Sequence, residues 1–326
     1  MYGPDFTFLG IERCDLDKPE TYKDADVVIV GAPIDSGTSH RSGAKFGPQA
    51  IRMGDYLPHD GERPHLALRT DGLKDMKVVD AGDLLMNGGN LEDSLALLAT
   101  ATEKISRAGA IAVILGGDHS IASADVAGIA NHRGKGKISM VHFDAHADTG
   151  TDQWGALVGH GTPMRRLIEN GHVRGDRFLQ LGLRGYWPDD ATLNWMRDQG
   201  MRSYEMTEIH HRGLKAVLDE SFATLTDGCD GVFLSVDIDV VDPGMAPGTG
   251  TPEPGGMTSR ELLEAVRRIC LELPVVGVDI VEVAPPFDSA DITAILANRV
   301  VLEALSAIAL RKKGGTYSPT RNLLDR

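Results

Sequence analysis

The sequence predicts a single α/β domain of three layers, α/β/α, with helices covering both faces of a mostly parallel eight-stranded sheet. Two observations carry this. Short β-branched apolar runs alternate with longer segments of helical periodicity along most of the chain, the order that builds parallel strands joined by crossover helices. Several of those runs are apolar almost throughout, as strands covered on both faces must be.

The predicted strands, in order, are DVVIVGAP (26–33), MKVVDAGD (76–83), AIAVILGG (110–117), KISMVHFD (137–144), RFLQLGLR (177–184), MRSYEM (201–206), GVFLSVDID (231–239) and VVGVDIVEV (275–283). Between them, NLEDSLALLATATEKISRAG (90–109) has apolar residues at helical spacing. TSRELLEAVRRICLEL (258–273) opens on Thr258 with Glu261 three residues later, the capping-box arrangement. DSADITAILANRVVLEALSAIAL (288–310) begins with capping residues and is long enough for about six turns. No repeat, low-complexity tract or Pro/Gly/Ser-rich linker divides the chain, so residues 1–326 read as one domain with an extended or packing tail from about 312.

Composition sets outer bounds. A formal net charge of −14, from 33 basic and 47 acidic residues, argues against a nucleic-acid or anionic-membrane partner and is compatible with a cationic small molecule. Cys14, Cys229 and Cys270 are too few and too scattered for a disulfide framework or a zinc cluster, and read as thiols in a reducing compartment. The N-terminal MYGPDFTFLGIERCDLDKPE is too polar and acidic for a signal peptide. No apolar run is judged to reach the roughly 20 residues that span a bilayer. The expected location is cytoplasmic.

In open α/β sheets ligands bind outside the carboxyl ends of the strands, and three predicted strands end in chemistry. HFDAHAD (142–148) follows the apolar ISMV. In an extended chain Asp144, His146 and Asp148 share one face, where carboxylates that close repel unless a cation joins them. ILGGDHS places His119 just past a strand, behind paired glycines that allow a tight turn. LSVDIDVVDP places Asp237 and Asp239 at i and i+2. Each motif alone is common in turns and surface loops. Six donors together exceed one tetrahedral site and suit two ions sharing carboxylates. The four aspartates match the charge of two divalent cations, and the O/N mixture suits manganese better than zinc, with nickel and cobalt left open.

Taken as a set, GGDHS, HFDAHAD and SVDIDVVDP resemble the signatures of the ureohydrolases: arginases, agmatinases and related guanidino hydrolases. The resemblance extends to GAPIDSGTSHRSGAKFGPQAIR (31–52) and GTGTPEPGG (248–256), and so covers nearly the whole chain. It implies a mostly parallel eight-stranded sheet, a two-manganese centre and a trimeric or hexameric assembly. It implies one ion on His119, Asp144, Asp148 and Asp237 and the other on Asp144, His146, Asp237 and Asp239, with Asp144 and Asp237 as bridges.

Residues and resemblance agree on chemistry. Two divalent ions about 3.5–4 Å apart lower the pKa of a shared water, which attacks the guanidinium carbon; collapse releases urea and an amine. The resemblance makes Glu282, in GVDIVEVAPP, the bidentate guanidinium partner. It makes His160, in VGHGTP, the proton-transfer residue. Asp148 joins these as a catalytic group that stabilises the intermediate from its metal-bound position, and Thr251 as a pocket-lining residue. His142 is read as facing the opposite side of its strand from the ligands, and His210 and His211 as helix-surface residues. GTGTPEPGG lacks the lysine and spacing of a phosphate cradle.

Arginases are expected to carry Ser-Gly-Asn before the downstream histidine. The loop here, TGTDQWGALVG (149–159), lacks it and resembles that of agmatinases and guanidino-acid hydrolases. Asp152 would meet an ammonium and Trp154 a methylene chain, whereas Arg41 would favour a carboxylate tail. Agmatine, cleaved to putrescine, is the preferred substrate; 4-guanidinobutyrate and 3-guanidinopropionate are the alternatives. A single-zinc deacetylase of related fold is the competing class, and counting two ions or one per chain separates them.

Overall fold

The computed structural model describes residues 6–55 and 63–320. Eight strands form one sheet: β1 (Val27–Ala32), β2 (Val78–Asp83), β3 (Ile111–Gly116), β4 (Ile138–Phe143), β5 (Val173–Leu183), β6 (Arg202–Glu205), β7 (Gly231–Asp237) and β8 (Val275–Val281). They pair in the order β2-β1-β3-β8-β7-β4-β5-β6, and every pairing is parallel. Each overlaps its predicted run; β5 begins four residues early, beside a register shift against β4 between Ile138 and Met140. The chain lays β1–β3 on one side, β4–β6 on the other, and inserts β7 and β8 between them. The carboxyl ends of β3, β8, β7 and β4 therefore stand side by side, at the point where such sheets open a crevice.

Ten α-helices occur among the described residues, besides short 3-10 turns: α1 (Gly47–Met53), α2 (Gly72–Asp75), α3 (Leu91–Arg107), α4 (Ala122–Arg133), α5 (Pro163–Glu169), α6 (Asp190–Asp198), α7 (Met206–Arg212), α8 (Leu214–Thr226), α9 (Ser259–Glu272) and α10 (Ile292–Lys312). The apolar strands are explained by two cores. Val27 and Ile29 of β1 and Val113 and Leu115 of β3 join α8, α9 and α10 on one face. Their alternates Val28, Val30, Ala112 and Ile114 join α3, α4 and α5 on the other.

Helix ends follow local chemistry. Asn90 caps α3 by accepting the Asp93 N–H at 3.1 Å, and Thr258 and Glu261 close the predicted capping box. At α10 the cap is displaced. Asp291 sits in the left-handed region and makes no side-chain cap bond; Asp288 instead accepts the Thr293 and Ala294 N–H groups at 3.0 and 3.1 Å.

The expectation that no segment is long and apolar enough to cross a membrane needs correction. α10, with 21 residues, passes that test on length and hydropathy, but 78% of its apolar window is buried in the fold. A helix apolar all round is a core helix when its polar groups find partners inside. Here Asn298 donates to Ile51 O at 2.9 Å and Glu303 pairs with Arg267 and His65. Tyr317, in the segment after α10, bonds Arg267 at 2.8 Å, so this part of the tail packs.

Like Arg267 and Glu303, a second buried ion pair is marked by no sequence motif. Arg52 reaches Asp80 through Nε and Nη2, both at 2.9 Å, and both side chains are almost fully buried. The Phe8 and Gly82 N–H groups satisfy Asp80 further, stitching the N-terminal segment and α1 to β2. The three cysteines are free thiols, Cys14 and Cys270 buried and Cys229 half-buried.

Candidate metal centre

The β3 end makes its turn through Gly117, whose φ is +45° and where an added Cβ would stand 2.4 Å from Ala32 O; only glycine fits. The turn delivers Asp118 and His119 together. Asp118 caps it by accepting the Ser120 N–H at 2.9 Å and holds the 35–43 segment through the Gly37 N–H at 2.7 Å. Burial beside Glu282 pushes Asp118 up to about 6.

His119 Nδ1 then stands 3.1 Å from one oxygen each of Asp144, Asp148 and Asp237. The tautomer follows from the far side of the ring. Ser235 Oγ donates to Asp279 Oδ1 at 2.7 Å, so it accepts from His119 Nε2 at 2.9 Å. Nδ1 is therefore the nitrogen turned to the carboxylates, where a cation would take it once its proton leaves. Donors about 2.1 Å from an octahedral cation lie about 3 Å from one another, which is the spacing seen. Next to this group, His146 Nδ1 lies 3.0 Å from Asp239 and 3.4 Å from Asp144. Asp144 belongs to both groups. Asp237 turns Oδ2 to His119 and accepts the Asp239 N–H on Oδ1 at 2.8 Å.

Charge makes the same case. Burial pushes Asp148 and Asp237 up, and the carboxylates of Asp144 and Asp239 add to it. Burial works against a charged His119, but its bonds to Asp144, Asp148 and Asp237 hold it well above the ordinary imidazole value. His146 is likewise pushed up to about 12, burial being outweighed by Asp239 and Asp144. Protein groups alone balance this buried cluster only by binding protons, so its chemistry calls for cations. The residues present fit a pair of divalent ions.

The reading of His142 was wrong. It is two residues from Asp144, so the two share a face, and His142 Nε2 donates to Asp144 Oδ2 at 2.8 Å. Its role as donor is fixed behind it. Gln180 Nε2 donates to Ala147 O at 2.7 Å and to His142 Nδ1 at 3.1 Å, while Ser203 donates to Gln180 Oε1. With Nδ1 accepting, the proton is on Nε2, and His142 steadies a ligand rather than being one.

The cluster floors a cavity of roughly 510 Å³, whose lining includes His146, Asp148 and Asp237. His160 is in its wall, with Nδ1 3.0 Å from Glu282 Oε1 and Nε2 2.5 Å from Ser39 Oγ. Burial opposes its charge, but Glu282 pushes it up to about 9. Glu282 is not among the lining residues. Its Oε1 also accepts the His119 N–H at 2.9 Å, and its Oε2 is buried without a partner. Asp148 and Glu282 both have positive φ, 51° and 62°, conformations that cost energy outside glycine and collect at functional sites.

Thr251, Asp152 and Trp154 all line the cavity, Thr251 bonding Asp239 at 3.3 Å and Trp154 standing 81% exposed at the mouth. Arg41 does not. Its guanidinium donates to Thr249 O and Gly250 O and stacks on Phe287. Sequence reading missed Ser39, Trp187 and Asp189, which also line the cavity; no motif ties residues 187–189 to the metal motifs. His210 and His211 are exposed on α7, as expected.

A parallel α/β sheet that gathers buried Asp and His donors at its central carboxyl ends defines a class of cation-binding enzyme folds. The comparisons then place the chain within it: the arginase family model matches residues 25–307, and the chain belongs to that family. It is 37% identical over 286 residues to a guanidinobutyrase of Pseudomonas aeruginosa, covering 87% of this chain and 86% of that one. It is 38% identical over 285 residues to a mitochondrial agmatinase of Gallus gallus, covering 87% and 81%. Among solved structures, proclavaminate amidino hydrolase of Streptomyces clavuligerus superposes with a TM-score of 0.83 at 34% identity, covering 95% of this chain and 99% of that one.

Proposed function

We propose that the protein is a ureohydrolase that uses two manganese ions to cleave a guanidino C–N bond, with agmatine as substrate and urea and putrescine as products. The observation that carries the two-ion reading is the membership of Asp144 in both donor groups. His119, Asp144, Asp148 and Asp237 would hold one ion, and Asp144, His146, Asp237 and Asp239 the other. Such a pair, when bound, supplies a water acidified towards neutrality.

The chain's own residues do the rest. Glu282 receives the guanidinium: its Oε1 is held by His160 and the His119 N–H, while its Oε2 is buried, ionised beside His160 and lacking a donor, which leaves it to accept a charge-assisted bond from that cation. Close placement of cation and water supplies several kcal/mol of the barrier reduction, of the ~7–11 kcal/mol attainable by orientation. His160, with a proton held by Glu282, passes it to the departing amine.

The tail decides the substrate. Relatives named for agmatine and for guanidinobutyrate are about equally similar, so identity does not choose. The mouth supports agmatine: Asp152 and Asp189 line it, no Arg or Lys is among the described lining residues, and Arg41 is committed elsewhere. A carboxylate tail would meet only like charge there, whereas an ammonium would be paired. Urea release in the presence of manganese, measured side by side with agmatine, arginine, 4-guanidinobutyrate, 3-guanidinopropionate and guanidine, tests this. Highest kcat/KM on agmatine is expected; preference for a guanidino acid would overturn the substrate, and one ion per chain would overturn the centre.

A further inference from the structure

Behind His119 the polar chain does not stop at Ser235. Asp279 of β8 accepts the Ser235 hydroxyl at 2.7 Å and the Val236 N–H at 3.2 Å on Oδ1, leaving Oδ2 buried with no partner. Asp125 is on α4, which packs against β8, and its side chain meets the Asp279 carboxylate. Asp125 too is fully buried; its Oδ1 accepts the Val126 N–H, and its Oδ2 has no partner. Two carboxylates thus meet in the interior, each with one orphaned oxygen. The other titratable groups acting on the pair are His119 and, for Asp279, His142, both already bonded elsewhere. One proton satisfies both orphans and removes one of two buried like charges.

We propose that Asp125 is a neutral carboxylic acid at neutral pH that donates to Asp279 Oδ2 and, through Asp279 and Ser235, positions His119 for the cation. The direction of donation follows from the other bonds. Asp279 already accepts two hydrogens on its other oxygen, so it keeps the charge and Asp125 keeps the proton. Burial raises both groups, and Asp125 is pushed well above the ordinary carboxylate range. The resulting order, Asp125 to Asp279, Ser235 to Asp279, His119 to Ser235, fixes the imidazole with Nδ1 towards the cluster. Partners of a ligand placed in this way commonly shift metal affinity about 10–100-fold. Asp125 is a positioning residue, and this role rests on the metal site proposed above.

Infrared difference spectra of the full-length, manganese-loaded chain, wild type minus Asp125→Asn, should show the C=O stretch of a protonated carboxyl group; its absence overturns the inference. Manganese affinity, read from the resonance of the free ion, should stay within about threefold of wild type in Asp125→Asn, where an amide donor replaces the hydroxyl. It should fall about 10–100-fold in Asp125→Leu and in Asp279→Asn. Wild-type affinity in Asp125→Leu would overturn the positioning role. Should the leucine variant not fold, equal losses in Asp125→Asn and Asp279→Asn would overturn it instead. Failure of the wild type to take up manganese would count against the proposed function and leave the carboxyl band to decide this inference alone.

Discussion

His142 Nε2 donates to Asp144 Oδ2 across 2.8 Å, and that oxygen is also 3.1 Å from His119 Nδ1. A buried imidazole thus feeds a hydrogen bond to a carboxylate common to both donor groups. Burial works against the Asp144 charge, but its histidine neighbours His142, His119 and His146 outweigh it and hold Asp144 well below the usual carboxylate range. Replacing His142 by Leu removes the donor while keeping an apolar volume. We expect manganese affinity to fall about 10–100-fold, with Gln180 left short of a partner. Equilibrium dialysis with metal analysis checks this; undiminished affinity would make His142 a packing residue.

Asp144→Ala and Asp237→Ala are expected to abolish urea release, since each removes an oxygen from the face of His119. Asp237→Asn separates charge from shape. Asp237 is raised by burial and by Asp239 and Asp144, so a neutral amide relieves repulsion. In chelator the variant should melt above the wild type. With manganese the order should reverse, because only the wild type gains binding free energy. Lower melting of the variant in chelator would show that the cluster is not repulsive.

Proton competition gives a pH test. In the chelated chain His119 is held well above the ordinary imidazole value and His146 is pushed up to about 12, so both carry protons at neutral pH. A cation takes an imidazole nitrogen only after its proton leaves. Raised values mean that the competing proton weakens as pH rises, so affinity should climb between about pH 6 and pH 9. Calorimetric titration in two buffers of different ionisation enthalpy should register proton release. Affinity independent of pH would contradict the assignment of both histidines as ligands.

Much of this was legible in the sequence because it rests on local rules. Strands covered on both faces must be apolar at odd and even positions alike, and Val27 to Val30 are divided between two cores accordingly. The six proposed ligands fall at or just past strand ends, as expected, but not by extended spacing: β4 stops at Phe143, Asp148 has a φ of +51° and Asp239 lies in a 3-10 turn after β7, so bends beyond the strands gather them. His142 was legible by strand parity, since it stands on β4 two residues before Asp144 and so on the same side. Trp187, Asp189 and Ser39 were not legible: they reach the cavity through chain crossings that no local period encodes. Arg52 and Asp80 were hidden for the same reason, as was the pairing of Asp125 with Asp279 across α4 and β8.

At the mouth, Asp152→Asn and Asp189→Asn are expected to raise KM for agmatine with little change in kcat. Each removes a charge remote from the reacting carbon. An exposed pair is worth only about 0.2–1 kcal/mol, or roughly 1.5- to 5-fold, and added salt should shrink the effect. The double variant should gain relative activity on 4-guanidinobutyrate. A matched loss on both substrates would deny the two carboxylates a part in choosing the tail.

The last test concerns stability away from the site. Asp80→Ala leaves the Arg52 guanidinium buried with only Asp83, itself partly exposed, as a carboxylate partner. It also strips the Phe8 and Gly82 N–H groups of their acceptor. Breaking a buried pair from one side costs about 3–5 kcal/mol; Asp83 should keep the loss near 3 kcal/mol. The double variant Arg52→Met/Asp80→Leu should recover much of it, because the desolvated charge is gone and apolar volume remains. Urea denaturation of the three proteins measures the difference. Because this pair ties the N-terminal segment and α1 to β2, on the far side of β1 from the cluster, metal affinity should be unchanged in the folded double variant. A fall in affinity there would mean that the sheet edge and the metal centre are coupled.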